Sequence, residues 1–149
     1  VKYMFRPDPV AKSNSVQKTV HEELAKNLAS ILRPANTDPL VVTRFLKHAW
    51  FFFDVLLKSM TLYLIDRDRV KMPRNERFSG EYQYKLQNLL SVVTLHIIQK
   101  SKDCREETKS ANNSLANFVK NCFTLMDRGY VFKLVSRYIE NFNPGDSKA

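Results

Sequence analysis

The stretch 38–65 decides most about this chain, because it is apolar on more than one side of any helix it could form. Asp38 can cap a helix, and Pro39 then falls at a first helical position, where a missing N–H costs nothing. Val42, Phe45, Leu46, Ala49, Trp50, Phe53, Leu56, Leu57, Met60 and Leu64 recur at helical spacing, and Phe51, Phe52 and Val55 widen the stripe. Such a helix must be covered on several sides, so the spacing predicts a central helix ending near Ile65. Arg44, Lys47, His48, Asp54 and Lys58 run through it, which argues against a membrane span.

The cover has to be helical too. Glycine occurs only 3 times, too rarely for the turns of an all-β fold, and no stretch alternates as a strand would. A first helix is predicted over about 16–32, capped by Ser15 and stopped by Pro34, with Val16, Val20, Leu24, Leu28, Ile31 and Leu32 on one face. A third covers about 81–100, with Leu86, Leu89, Leu90, Val93, Ile97 and Ile98 facing inward. A fourth covers about 108–126, with Leu115, Phe118, Val119, Cys122, Phe123 and Met126. Asp127-Arg128-Gly129 reads as its C-terminal turn, Gly129 being free to take a positive φ. A fifth covers 130–142 and ends at Asn143-Pro144-Gly145.

The predicted fold is thus all-α, about five helices in an armadillo/HEAT-like α-solenoid or an irregular bundle, without a detectable fixed-period repeat. Its domain layout is an extended lead-in over 1–14, one helical domain over 15–143 and a tail over 144–149. Tyr3, Met4 and Phe5 in the lead-in are apolar enough to pack onto the body or onto a neighbour. Trp50, Phe53, Leu57, Leu90, Phe118, Cys122 and Leu134 are the predicted structural core. A chain that starts without Met and stops in mid-flow reads as a piece of a longer protein.

No residue set for catalysis, cofactor or metal emerges. His21, His48 and His96 fall on three different predicted helices, and none lies at zinc-ligand spacing from another His, Cys or acid. Glu22-Glu23 and Glu106-Glu107 are adjacent pairs, whose members point to different sides of a helix. The latter pair is expected just before the fourth helix, at its positive end. Neither a nucleophile elbow nor a phosphate-binding glycine loop is present. Cys104 and Cys122 form no CxxC, and two thiols make no disulfide framework, so both read as reduced.

The formal charge is +9, from 24 basic and 15 acidic side chains, which favours phosphates, anionic lipid or acidic protein surfaces. Arg67, Arg69, Lys71, Arg74 and Arg77 cluster in the connector 66–80 as a possible anionic-surface contact. Asp66, Asp68 and Glu76 sit among them, so the alternative is a solvated loop whose arginines pair with these acids. No motif that reads nucleic acid accompanies the cluster.

Several strings together resemble the dedicator of cytokinesis family. The run 48–60, HAWFFFDVLLKSM, is similar to that family's SWFFFE…KSM helix, and 72–78, MPRNERF, to the PRxxRF connector that follows it. The runs 114–118, SLANF, and 125–132, LMDRGYVF, resemble its SLAxF and LMDRGFVF segments. The similarity covers about 40–146 in order and looks closest to the zizimin branch, with departures at His48 and Ala49. It implies a segment of the armadillo-like helical middle of a large cytoplasmic guanine-nucleotide exchange factor for Rho-family GTPases of the Rac and Cdc type. It also implies that the GTPase and the membrane are engaged by other regions, so that this segment is not itself an enzyme. Its implied partners are the rest of the parent chain and, through dimerisation, a second copy. An anionic membrane at the plasma membrane is a further implied partner, and a basic module binding lipid or nucleic acid through 67–77 is the alternative reading.

Overall fold

The computed structural model describes residues 19–142, without the side chains of 138, 139, 141 and 142. Ser15 and the predicted first turn after it, the lead-in and the Asn143-Pro144-Gly145 stop lie outside the described residues. Within them the chain is all helical: α1 (Val20–Leu32), α2 (Pro39–Lys47), α3 (Ala49–Asp66), a 3-10 turn (Arg74–Glu76), α4 (Gly80–Lys100), α5 (Arg105–Leu125) and α6 (Arg128–Phe142).

Four of the six helix starts follow from side chains that satisfy orphan amides. Thr19 caps α1 by accepting from the Glu22 amide, Asp38 caps α2 from the Leu40 amide, and Ser79 caps α4 from the Tyr82 amide. Asp127 caps α6, its Oδ2 3.0 Å from the Tyr130 amide. The predicted turn at 127–129 is therefore a helix start, and Gly129 lies inside the first turn of α6 without a positive φ. Glu106 and Glu107 likewise fall within the first turn of α5, not before it.

The predicted central helix is two helices. At His48 the backbone turns to φ −109°, ψ 16°, its amide shared between the Arg44 and Phe45 carbonyls at 3.1 Å each. The break lets α2 pack on α5 while α3 packs on both α1 and α5. Among the described residues the count is consequently six α-helices where the sequence predicts five. The helix with the most neighbours is α5, which touches α2, α3, α4 and α6, while α4 packs chiefly on α1.

One continuous core runs through all six helices. On α5 the buried positions Ala111, Leu115, Phe118 and Cys122 form a single stripe. Phe118 meets Phe53 of α3 with ring centroids 5.0 Å apart. Each fully buried Leu or Phe contributes about 1.5–3 kcal/mol by leaving water. Phe53, Leu90, Phe118, Cys122 and Leu134 are core residues, and Leu57 packs at the margin. Trp50 is not in the core: it is 56% exposed. It occupies the second position of α3, beside the His48 break.

Candidate functional site

The structure turns the basic connector into a self-held loop. It opens with a C-terminal lock on α3, in which Asp68 takes φ 53°, the Asp68 amide reaches the Ile65 carbonyl (3.2 Å) and the Arg69 amide the Leu64 carbonyl (2.8 Å). Two arginines then clasp each other's flanks. Arg69 donates through Nε to the Arg77 carbonyl and through Nη2 to the Glu76 carbonyl, both at 2.8 Å. Arg77 donates through Nε to the Met72 carbonyl (3.2 Å) and through Nη2 to the Val70 carbonyl (2.7 Å). The Arg67 and Arg69 guanidiniums also lie over the Tyr63 ring, 5.6 and 5.4 Å from its centre. Of the acids among them, Asp68 takes Lys71, at 3.9 Å between two exposed side chains. Arg69 and Arg77 thus each direct two of a guanidinium's five N–H donors at backbone carbonyls, which are groups no one-letter sequence displays.

Next to this loop is a buried polar cluster that sequence reasoning missed. His21 is 1% exposed and stands edge-on to Tyr63, Phe78 and Tyr82 at centroid distances of 5.3, 5.8 and 4.7 Å. Its backbone amide donates to Ser59 Oγ (3.1 Å), so a serine of α3 satisfies an orphan amide of α1. The hydrogen-bond directions fix the ring. Thr19 gives its hydroxyl proton to Glu22 Oε1 (3.3 Å), because a carboxylate accepts only. Thr19 Oγ1 must then accept from His21 Nε2 (3.0 Å), and Nδ1 accepts from the Ser59 hydroxyl (2.9 Å). The imidazole is neutral, and burial lowers its pKa from 6.5 to about 3. Enclosed by aromatic rings, this cluster holds helices together and has no open face for a substrate.

The other candidates are also structural. His96 Nε2 lies 2.6 Å from the Leu32 carbonyl at the end of α1, and His48 sits at the α2–α3 break. Burial raises the Cys122 thiol far above its usual range, making it a poor nucleophile. Cys104 begins α5 with its Sγ 3.8 Å from Thr43 Oγ1. Among the described residues there is no group of three or more His, Cys, Asp or Glu able to hold a metal ion, and no helix long and apolar enough to cross a membrane.

The remaining feature is a surface one. An open groove of about 500 Å³ runs between the C-terminal end of α1 and the α2–α3 break. Val41, Arg44, Phe45 and His48 give it the i, i+3, i+4, i+7 face of α2. Ile31, Trp50 and Phe51 are its exposed apolar walls. The ring of Phe45 stacks on Phe52 at 5.4 Å, and Trp50, Phe51 and Phe52 follow edge to face at 5.9 and 5.6 Å. Large exposed apolar patches of this kind mark protein contacts. The sequence signal was the breadth of the aromatic run 50–53, which exceeds what one buried stripe can absorb.

The full chain, residues 1–149, matches the family model described as "DOCK6-11, TPR domain". It is 47% identical over 148 residues to dedicator of cytokinesis protein 9 of Homo sapiens, covering 99% of this chain and 7% of that protein. It is 40% identical over 148 residues to dedicator of cytokinesis protein 11 of Danio rerio, again 99% and 7%. Against dedicator of cytokinesis protein 8 of Mus musculus it is 36% identical over 135 residues, 89% of this chain and 6% of that protein. The chain thus spans well under a tenth of the length of these curated relatives, and no solved structure matches it. The chain belongs to the dedicator of cytokinesis family, and its higher identity to proteins 9 and 11 than to protein 8 fits the zizimin branch.

Proposed function

We propose that this chain is a helical scaffold segment of a cytoplasmic guanine-nucleotide exchange factor for Rho-family GTPases of the Rac and Cdc type. In that role it spaces the membrane-binding and exchange regions of a longer parent and offers a surface to other proteins. The observation that carries this reading is how its polar side chains are used. Arg69, Arg77 and the ring of His21 are hydrogen-bonded within the fold, while an apolar groove stands open. Rigid helices with a continuous core transmit a fixed distance, as a spacer must.

The test is made in the parent. Leu56→Asp places a carboxylate at a fully buried position of α3 and melts the segment locally. Nucleotide exchange measured in free solution should survive, because the exchange region lies elsewhere, whereas exchange on GTPase anchored to vesicles should fall. Equal loss in both settings, or loss in neither, refutes a spacing role.

A further inference from the structure

We propose that the groove between α1 and the α2–α3 break docks an amphipathic helix whose apolar face is bordered by carboxylates. This deepens the interaction-surface part of the function proposed above and leaves the spacing role to stand or fall separately. The groove has the shape and chemistry of helix-in-groove recognition, with apolar walls and aromatic edges that take anchors at i, i+3, i+4 and i+7. Its floor is buried Phe45 and half-buried Phe52, and its rim is Ile31, Val41, Trp50 and Phe51.

Charge selects the occupant. The polar side chains lining the groove are Arg44 and His48, and no carboxylate lines it. Arg44 is exposed and has no ion pair among the described residues. Lys47 and Arg33 lie on the adjoining ends of α2 and α1. The acids at the start of α2 and in the first turns of α3 are already engaged: Asp38 caps α2, and Asp54 pairs with Lys58 at 3.0 Å. A basic rim around an apolar floor repels the chain's own lead-in 1–18, which carries four cations against one carboxylate. It also disfavours a second copy, since an isologous contact would set Arg44 near its own image on a chain of charge +9. An acidic amphipathic helix meets both the floor and the rim.

Trp50 is the only tryptophan in the sequence, so its emission reports on the groove directly. The probe is a tryptophan-free model peptide of roughly 18 residues, five helical turns, with leucines at i, i+3, i+4 and i+7 and glutamates along both borders. Its twin has lysine in place of every glutamate. With the 149-residue chain, the glutamate peptide should shift Trp50 emission to the blue saturably, and the lysine peptide should not. Arg44→Glu should weaken the glutamate peptide about tenfold and admit the lysine peptide. Val41→Asp should remove binding of the glutamate peptide, with unchanged far-ultraviolet circular dichroism as the folding control. Equal affinity for the two peptides, or no saturable shift with the glutamate peptide up to about 1 mM, a free energy of about −4 kcal/mol, overturns the proposal. So does Trp50 emission already blue-shifted in a dimer detected by light scattering. A red shift of Trp50 on deleting residues 1–18 overturns it as well, because the lead-in would then be the occupant.

Discussion

Lowering the pH should destabilise the fold through one side chain, His21. In the folded chain its Nδ1 accepts from Ser59 and its Nε2 donates to Thr19, so adding a proton sets a donor against the Ser59 hydroxyl inside an aromatic enclosure. The groups that face the ring are Ser59, Thr19, Tyr63, Phe78 and Tyr82, with Glu22 reached only through Thr19. No carboxylate touches it to compensate a charge. Burial sets the folded pKa at about 3 against 6.5. The folded value lies below the unfolded one, so the stability is complete above pH 6.5 and is lost as pH falls from there towards 3. Each pH unit well inside that window costs about 1.4 kcal/mol. At pH 5 the loss is about 2 kcal/mol, a substantial part of a stability of about 5–15 kcal/mol. Urea unfolding followed by circular dichroism at pH 7.5 and pH 5.0 measures it, with His21→Phe as reference. That variant is less stable at both pH values, but its pH dependence should be smaller than that of the unaltered chain by about 2 kcal/mol. Equal pH dependence in the two proteins, within about 0.5 kcal/mol, refutes the reasoning.

Three further outcomes follow from the same packing. The Tyr82 hydroxyl is buried with no hydrogen-bond partner among the described residues, so Tyr82→Phe should raise stability by about 1 kcal/mol in the same denaturation assay. Arg77→Ala should cost about 1–3 kcal/mol by freeing the Val70 and Met72 carbonyls, whereas Lys71→Ala, at an exposed 3.9 Å ion pair, should change it by less than about 1 kcal/mol. Phe118→Ala should cost about 3–5 kcal/mol because Phe118 is buried against Phe53, while Trp50→Ala should cost under about 1 kcal/mol despite removing the larger ring.

Much of this architecture was legible in the residues. Helical spacing located the helical stretches, though it ran α2 and α3 together, and Asp38-Pro39 marked the start of α2. Resemblance strings at 48–60 and 125–132 pointed to the family that the full-length match then established. What the sequence hid has physical reasons. The break at His48 carries no glycine or proline, and it lets α3 reach α1 while both α2 and α3 pack on α5. Gly129 read as a helix end since glycine so often closes helices, yet Asp127 two residues earlier caps a new one. Trp50 read as core because aromatic mass is usually buried, but burial depends on which neighbours arrive, and those near it leave more than half of it exposed. In the connector, nearby acids were the visible partners for arginine, while the carbonyls that Arg69 and Arg77 actually hold appear only once the loop is folded.

The central claim is that this segment's polar chemistry is spent on holding helices together, leaving it to act through distance and surface. The most direct measurement is release of a fluorescent guanine nucleotide from Rac-type and Cdc-type GTPases in the presence of the 149-residue chain. The account predicts release at the GTPase's own unassisted rate at every chain concentration. Release that accelerates with added chain would contradict it.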